Sequence, residues 1–422
     1  MTKQIFAQGG NTPYSLLGPG DIIKQANLKQ IGMGGVSISN GNALFSNFMN
    51  PALQTYNYFT VFEAGYLVER KWVSTDKATQ RDLQGNLSYL SLTFPLLSRA
   101  VKGSQRSRWV VGMGLRPFTF INSEGSRVSY IPQTPAFARE TYRGTGGINQ
   151  WFFSSGVQID RRFSVGLEAA LNFGSLTYLQ ISTLENVQNF YTLNYTDRLT
   201  VSDFNFKLGA AFTDTLSKHW LIHTGVTLSP QSRISAVFNR SVIRKDLGDR
   251  TIATDTIIND QKTDLTMPTR LGLGMSLEKI STPLNPFKIT LSLEYHQANW
   301  QNYRNPVGSP ALNQLSNTND LRFGLEFIPN PLAVTGYWKR VQYRFGLQFA
   351  QTPWKIDNQQ INDQNLSLGM SLPVGRNYTF FSWALLVGQR GQASATRIGE
   401  NYAKLLVGLT INDKWFVRRK FL

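Results

Sequence analysis

Three histidines (His219, His223 and His296) and no cysteine at all are what this chain brings to metal or nucleophilic chemistry. The absence of cysteine removes disulfides, thiolate nucleophiles and cysteine-bearing zinc sites together. His219 and His223 stand four residues apart in a strand-like run, which places them about 13 Å apart on one face, too far to share a metal. No Gly-x-Ser-x-Gly elbow occurs. Gly32, Gly34 and Gly35 follow a predicted helix, whereas a dinucleotide-binding loop follows a strand. Paired carboxylates on opposite strands remain open. The reading is of a protein that is not an enzyme and uses no cofactor and no metal.

The stretch Ile31–Leu53, IGMGGVSISNGNALFSNFMNPAL, has a different character. It opens on the glycine cluster and closes on Asn50-Pro51-Ala52. Glycine lets the backbone approach a neighbour closely, and the fixed φ of Pro51 ends any regular run. Such a segment suits a compact, irregular plug. Before it, residues 9–20 carry loop chemistry, and Asp21 is placed to cap a short helix over 22–30.

From Phe59 onward the pattern is alternation of period two. Val165, Leu167, Ala169, Leu171 and Phe173 alternate with Gly166, Glu168, Ala170 and Asn172. Phe323, Leu325 and Phe327 oppose Arg322, Gly324 and Glu326, and Tyr343, Phe345, Leu347 and Phe349 oppose Arg344, Gly346 and Gln348. Strand after strand puts large apolar groups on one face and Arg, Glu, Lys or Gly on the other. A lipid-facing outside and a polar inside sustain that pattern over so long a stretch. Strands are predicted near 59–69, 84–95, 107–120, 148–160, 162–175, 201–213, 218–230, 266–278, 287–300, 319–329, 340–352, 364–373, 378–389 and 402–411. Tight turns at 160–162, 214–218 and 375–377 contrast with long loops over 121–147, 176–200, 231–265 and 301–318, the rim asymmetry of a membrane barrel with its short turns periplasmic. Tyr58, Trp109, Trp151, Trp220, Trp300, Trp338, Tyr378 and Trp383 fall near strand ends, as interfacial anchors do.

Composition agrees. Hydrophobic residues make up 41% of the 422, aromatics 12%, and mean hydropathy is −0.23. No apolar run reaches the length of a transmembrane helix, while alternating strands average to neutral hydropathy. Lys and Arg outnumber Asp and Glu by 43 to 26, a net charge of +17. No nucleic-acid-binding signature accompanies that charge, so basic groups lining a lumen or facing lipopolysaccharide are the expectation, with no nucleic acid as partner.

Gly32-Met33-Gly34-Gly35 followed by Asn50-Pro51-Ala52 resembles the N-terminal hatch of the FadL/TodX-type outer-membrane transporters of hydrophobic compounds. Pro268 before LGLGMSLE, with Tyr295 and Trp300 closing the next strand, is similar to a strand pair of that family. Gly388–Gly391, Glu400–Tyr402 and Asp413–Phe416 resemble its closing strands. The resemblance covers nearly the whole chain. It implies an all-β membrane protein, a barrel of about 14 antiparallel transmembrane strands (57–422) in the bacterial outer membrane, with a small hatch (9–56) inside the lumen and a residual leader at 1–8. Gly32, Gly34, Gly35, Asn50, Pro51 and Ala52 would gate the ligand path. Pro117, inside the run WVVGMGLRPFTF, would interrupt a strand and make a lateral opening. Trp415, Phe416 and Phe421 would form the terminal signal of the barrel. The implied function is passive uptake of a hydrophobic or amphipathic small molecule. The alternative is a non-transporting subunit of a larger outer-membrane assembly such as a secretion translocon, with the long loop 231–265 as a docking edge. Outer-membrane lipid and lipopolysaccharide are the surroundings expected, and other outer-membrane proteins are the partners of the alternative.

Overall fold

A computed structural model describes residues 12–16, 18–97, 108–131, 137–185, 191–246, 248–305, 315–375, 378–394 and 397–415. A two-residue strand β1 (Asp21–Ile22), one helical turn α1 (Leu28–Ile31) and an irregular stretch to residue 59 precede a long series of strands. The strands are β2 (Thr60–Ser74), β3 (Thr79–Leu97), β4 (Trp109–Tyr130), β5 (Phe137–Gln158), β6 (Phe163–Glu185), β7 (Thr192–Ser217), β8 (Trp220–Ser229) and β9 (Ser232–Lys245). They continue as β10 (Thr251–Met267), β11 (Arg270–Lys279), β12 (Lys288–Ala298), β13 (Thr318–Ile328), β14 (Gln342–Ile356), β15 (Gln359–Val374), β16 (Thr379–Arg390) and β17 (Gly399–Asp413). Neighbours pair antiparallel, and β17 returns to β2, with Asp413 opposite Thr60, which closes the sheet.

The closed sheet is a barrel of 14 strands. Two of them are broken once each. β8 pairs with the lower part of β7 (208–217) and β9 with its upper part (192–201), so β8 and β9 form one line interrupted at Pro230. β10 and β11 form its partner, interrupted at Pro268, since β9 pairs with β10 and β8 with β11. A proline has no N–H to give the ladder, and both breaks fall at one.

Alternation sorts the side chains as the sequence predicts. Leu167, Leu273, Phe323 and Phe349 are exposed on the outside, while Glu168, Ser276, Arg322 and Gln348 are buried within. Among the described residues no helix is long and apolar enough to cross a membrane.

Three expectations need correcting. The helix over 22–30 does not form. Asp21 and Ile22 pair instead with Phe120 and Thr119 of β4, and the helical turn begins at Leu28, capped by Asn27 in a reciprocal exchange with Gln30. The segments read as long loops at 121–147, 176–200 and 231–265 are mostly strand: β4–β5 pairing runs to Tyr130 opposite Phe137, and β9–β10 to Lys245 opposite Thr251. These hairpins stand above the lipid-facing band, where polar residues alternate as readily as apolar ones. Trp300 is not an outer anchor. It is buried inside the mouth of the barrel, 5.8 Å from the Tyr303 ring.

Candidate functional site in the lumen and the barrel wall

Residues 12–57 lie inside the barrel, and most of those described are buried. At the end bearing the tall hairpins, Tyr14 stacks on Trp354 with centroids 5.7 Å apart, within an apolar cluster that includes Phe118, Ile148, Leu199, Phe238 and Trp300. At the opposite end the chain leaves the lumen through a short turn, Pro51–Tyr56, and enters β2.

The segment is fixed to the wall by contacts that its sequence makes possible. Gly34 has φ +74° and donates its N–H to Ser367 Oγ at 2.8 Å. The wall opposite is also glycine: a Cβ on Gly346 would lie 1.9 Å from the Gly34 nitrogen. Gly32 meets Gly369 in the same way, its Cβ position 3.1 Å from the Gly369 Cα. Backbone against backbone at this distance requires the absence of side chains on both partners. Gly35 offers its carbonyl to Arg322 at 2.8 Å.

Asn50 holds three groups at once. Its Nδ2 donates to Ile38 O at 2.8 Å and to Ala210 O of β7 at 3.0 Å, and its Oδ1 accepts from Ala52 N at 3.1 Å. Pro51 then starts the turn, at a position whose N–H would have no partner in any case. Ala52 packs with Leu53 and Ala211 in a small apolar cluster.

Sequence reasoning missed the charged partners. Glu294 of β12 accepts from the backbone N–H groups of Ser37 (2.7 Å), Ser39 (3.3 Å) and Ile38. Glu326 faces Arg344 at 2.8 Å and Lys29 at 3.5 Å. Glu168 pairs with Arg116 and with Lys207 at 3.0 Å, and both cations also donate to Phe48 O. These pairs are buried, so their value lies in mutual compensation: removing one partner strands the other without water. The available signal was the charge placed on the inward face of each strand.

The wall is not uniformly paired. The β3–β4 ladder runs only from Leu97–Trp109 to Leu90–Leu115. Beyond it β3 (79–89) keeps only β2, and β4 keeps β5 out to Tyr130. Pro117 lies inside β4, not past its end, at a bulge where Asn149 and Ile148 oppose Pro117 and Thr119. Into the gap comes β1, with Ile23 N–H donating to Phe118 O at 2.9 Å. Beside the gap is a cavity of about 110 Å³ lined by Leu67, Leu87, Pro117, Phe120, Leu386 and Leu406. A second cavity, of about 210 Å³, reaches Arg270, His296, Trp300 and Trp354, and the two share Asp21–Lys24, Asp363 and Arg390. Arg270 lies over the Phe118 ring at 5.2 Å and makes no ion pair among the described residues.

His219 and His223 do not share a strand face as their spacing suggested, because His219 falls in the turn before β8. His223 turns inward to Thr213 Oγ1 (2.9 Å) and Tyr56 OH (3.1 Å), and His219 is exposed at the short-turn rim. Trp415 is exposed, and Phe416, Phe421 and the leader at 1–8 lie outside the described residues.

A closed antiparallel barrel with a chain-filled lumen is the fold of the FadL/TodX-type outer-membrane barrels. Solved structures agree on the fold. The Ralstonia pickettii toluene transporter TbuX aligns with a TM-score of 0.56 at 14% identity, over 93% of this chain and 99% of that one. A Pseudomonas aeruginosa FadL homologue gives 0.54 at 11% identity, over 94% and 100%. The Pseudomonas putida toluene transporter TodX gives 0.52 at 14% identity, over 93% and 99%. No curated protein matches. The BamG family model matches residues 1–422, and the chain belongs to the BamG family.

Proposed function

We propose that this is an outer-membrane barrel for passive uptake of small hydrophobic or amphipathic molecules, with residues 9–56 as its hatch and lateral exit between β3 and β4. The observation that carries this reading is the β3–β4 ladder ending at Leu90–Leu115 beside a cavity lined by leucines, Pro117 and Phe120. An apolar solute that leaves there passes from lumen to hydrocarbon without crossing a polar layer. Arg270, facing the larger cavity with no ion pair among the described residues, suits the anionic end of an amphiphile. The toluene-transporter descriptions of TbuX and TodX support a hydrophobic cargo by likeness of fold.

A second reading is favoured by the whole-length match to the BamG model: a non-transporting subunit of a larger outer-membrane assembly such as a protein secretion translocon. The standing β9–β10 hairpin suits docking, since β10 pairs with β9 on one side and, among the described residues, has an isolated bridge, Thr266–Arg304, on the other. Gentle purification from native membranes separates the two readings. A lumen-bound hydrophobic molecule released on denaturation supports uptake. A stoichiometric protein partner with an empty lumen replaces it with the assembly reading.

A further inference from the structure

The geometry points to the short-turn rim as a binding surface for anionic phospholipid headgroups of the periplasmic leaflet. The excess positive charge of the chain invites assignment to lipopolysaccharide, which lies at the other end. Among the described connecting residues at the tall-hairpin end, Lys77, Arg250, Arg304 and Arg397 are matched by Asp76, Asp246, Asp249 and Asp357. The short-turn rim is not matched. Arg108, Arg161, Arg162, Lys218, Lys339, Arg340 and Lys414 stand there against Asp160, Asp214 and Asp413. Among the described residues one of these cations, Arg162, makes an ion pair, with Asp214 at 3.0 Å.

Two features select lipid over a protein partner. First, the cations are distributed around the circumference: in the β3–β4, β5–β6, β7–β8 and β13–β14 turns and just after β17. A bilayer meets the whole ring, whereas a single docked protein covers one arc. Second, each cation has an exposed apolar or aromatic neighbour at the same level, including Ile159, Leu216, Trp338 and Trp415. Trp338 is held in place: the turn around it is closed by Asn330 N–H to Lys339 O at 2.7 Å, and the Trp338 carbonyl accepts from Tyr343 OH. Aromatic rings at headgroup depth beside lysine and arginine meet acyl carbon on one side and phosphate on the other. The surface continues the lipid-facing wall downward, so the same bilayer reaches both. This inference rests on membrane placement and is independent of any transported solute.

The test uses the full chain in nanodiscs of phosphatidylethanolamine and phosphatidylglycerol, with retained lipids counted by native mass spectrometry as detergent strips the disc. Arg161→Gln/Lys218→Gln/Lys339→Gln removes three exposed rim cations. Lys77→Gln/Arg250→Gln/Lys262→Gln removes three exposed cations from the other end. Heat-modifiable gel mobility reports whether each barrel is folded. The unmodified protein and the second variant should retain phosphatidylglycerol over its bilayer share by at least about threefold, and the rim variant should lose that preference. Equal retention by all three, or loss in the second variant alone, overturns the inference. Unchanged lipid retention together with loss of a copurifying polypeptide assigns the rim to protein docking instead. Failure of the unmodified chain to float with liposomes refutes the membrane placement itself, a different outcome from a missing lipid preference.

Discussion

Replacing Asn50 with alanine should loosen the lumen segment while leaving the barrel assembled. The side chain makes two donated hydrogen bonds, to Ile38 O and Ala210 O, and one accepted from Ala52 N, all in a site with no exposed surface. At about 1 kcal/mol net for each buried bond, the docked state loses about 3 kcal/mol. The strands do not depend on these bonds, so the loss falls on the equilibrium between docked and undocked segment. A shift of that size raises the undocked population roughly a hundredfold. The absence of cysteine from the chain makes the assay clean. Ser37, buried and replaced isosterically by Ser37→Cys, reports undocking through its rate of maleimide labelling. When redocking is faster than labelling, that rate follows the open population. The expected outcome is labelling of Ser37→Cys/Asn50→Ala faster than Ser37→Cys by roughly two orders of magnitude, with heat-modifiable mobility unchanged. A change of less than about threefold in a folded barrel would mean that Asn50 does not tether the segment.

Three further perturbations bear on the same lumen. Gly346→Val puts carbon where the Gly34 nitrogen already sits, 1.9 Å away, and should speed Ser37→Cys labelling as overpacking of about 1–3 kcal/mol or more pushes the segment off the wall. Arg270→Gln should weaken binding of a carboxylated amphiphile about tenfold and leave a neutral analogue unaffected, as measured by ligand fluorescence in detergent. Pro117→Ala restores an N–H to β4, so solute flux into liposomes should fall while unfolding free energy stays within about 1 kcal/mol of the unmodified barrel; unchanged flux removes the side exit.

Much of the barrel was legible because hydrocarbon imposes one rule on every strand: Leu273 and Met275 outside, Gly272 and Ser276 inside. That rule locates strands but does not end them. Above the lipid band, residues such as Thr254, Thr256 and Thr263 still pair across β9–β10 although water bathes them, so turns were expected where hairpins stand. The Gly32–Ala52 segment was legible as an irregular, buried plug from its own glycines and Pro51. Its anchors were not. Glu294 reads locally as one polar residue in an alternating strand, and only the closed topology brings it to the N–H groups of residues 37–39, more than 250 positions earlier in the chain. Asp21 shows the converse failure. Its helix-capping chemistry is sound locally, but the unpaired edge of β4 offered Ile22 and Ile23 a ladder to complete.

That borrowed ladder says where motion is cheapest. Residues 28–57 are held by buried carboxylates, glycine-to-glycine contacts and the Asn50 bonds, so displacing them means separating many compensated groups at once. Residues 21–24 are held by fewer contacts: two register pairs with β4, the bond from Ile23 to Phe118, the mostly buried ion pair of Arg390 with Asp21 at 3.2 Å, a contact from Lys24 to Gln348, and Ile22 packed against the apolar cluster at the mouth. Those four residues, with Asp363 and Arg390, also form the wall common to both cavities, and they lie in the gap beside Pro117. The proposed uptake therefore does not require the whole segment to leave. On the uptake reading, β1 slipping off the β4 edge would join the lumen to the gap while Asn50, Glu294 and the glycine contacts keep the remainder in place. A barrel that only docks partners needs no such step, so hydrogen exchange of the Ile23 N–H is where the two readings differ most.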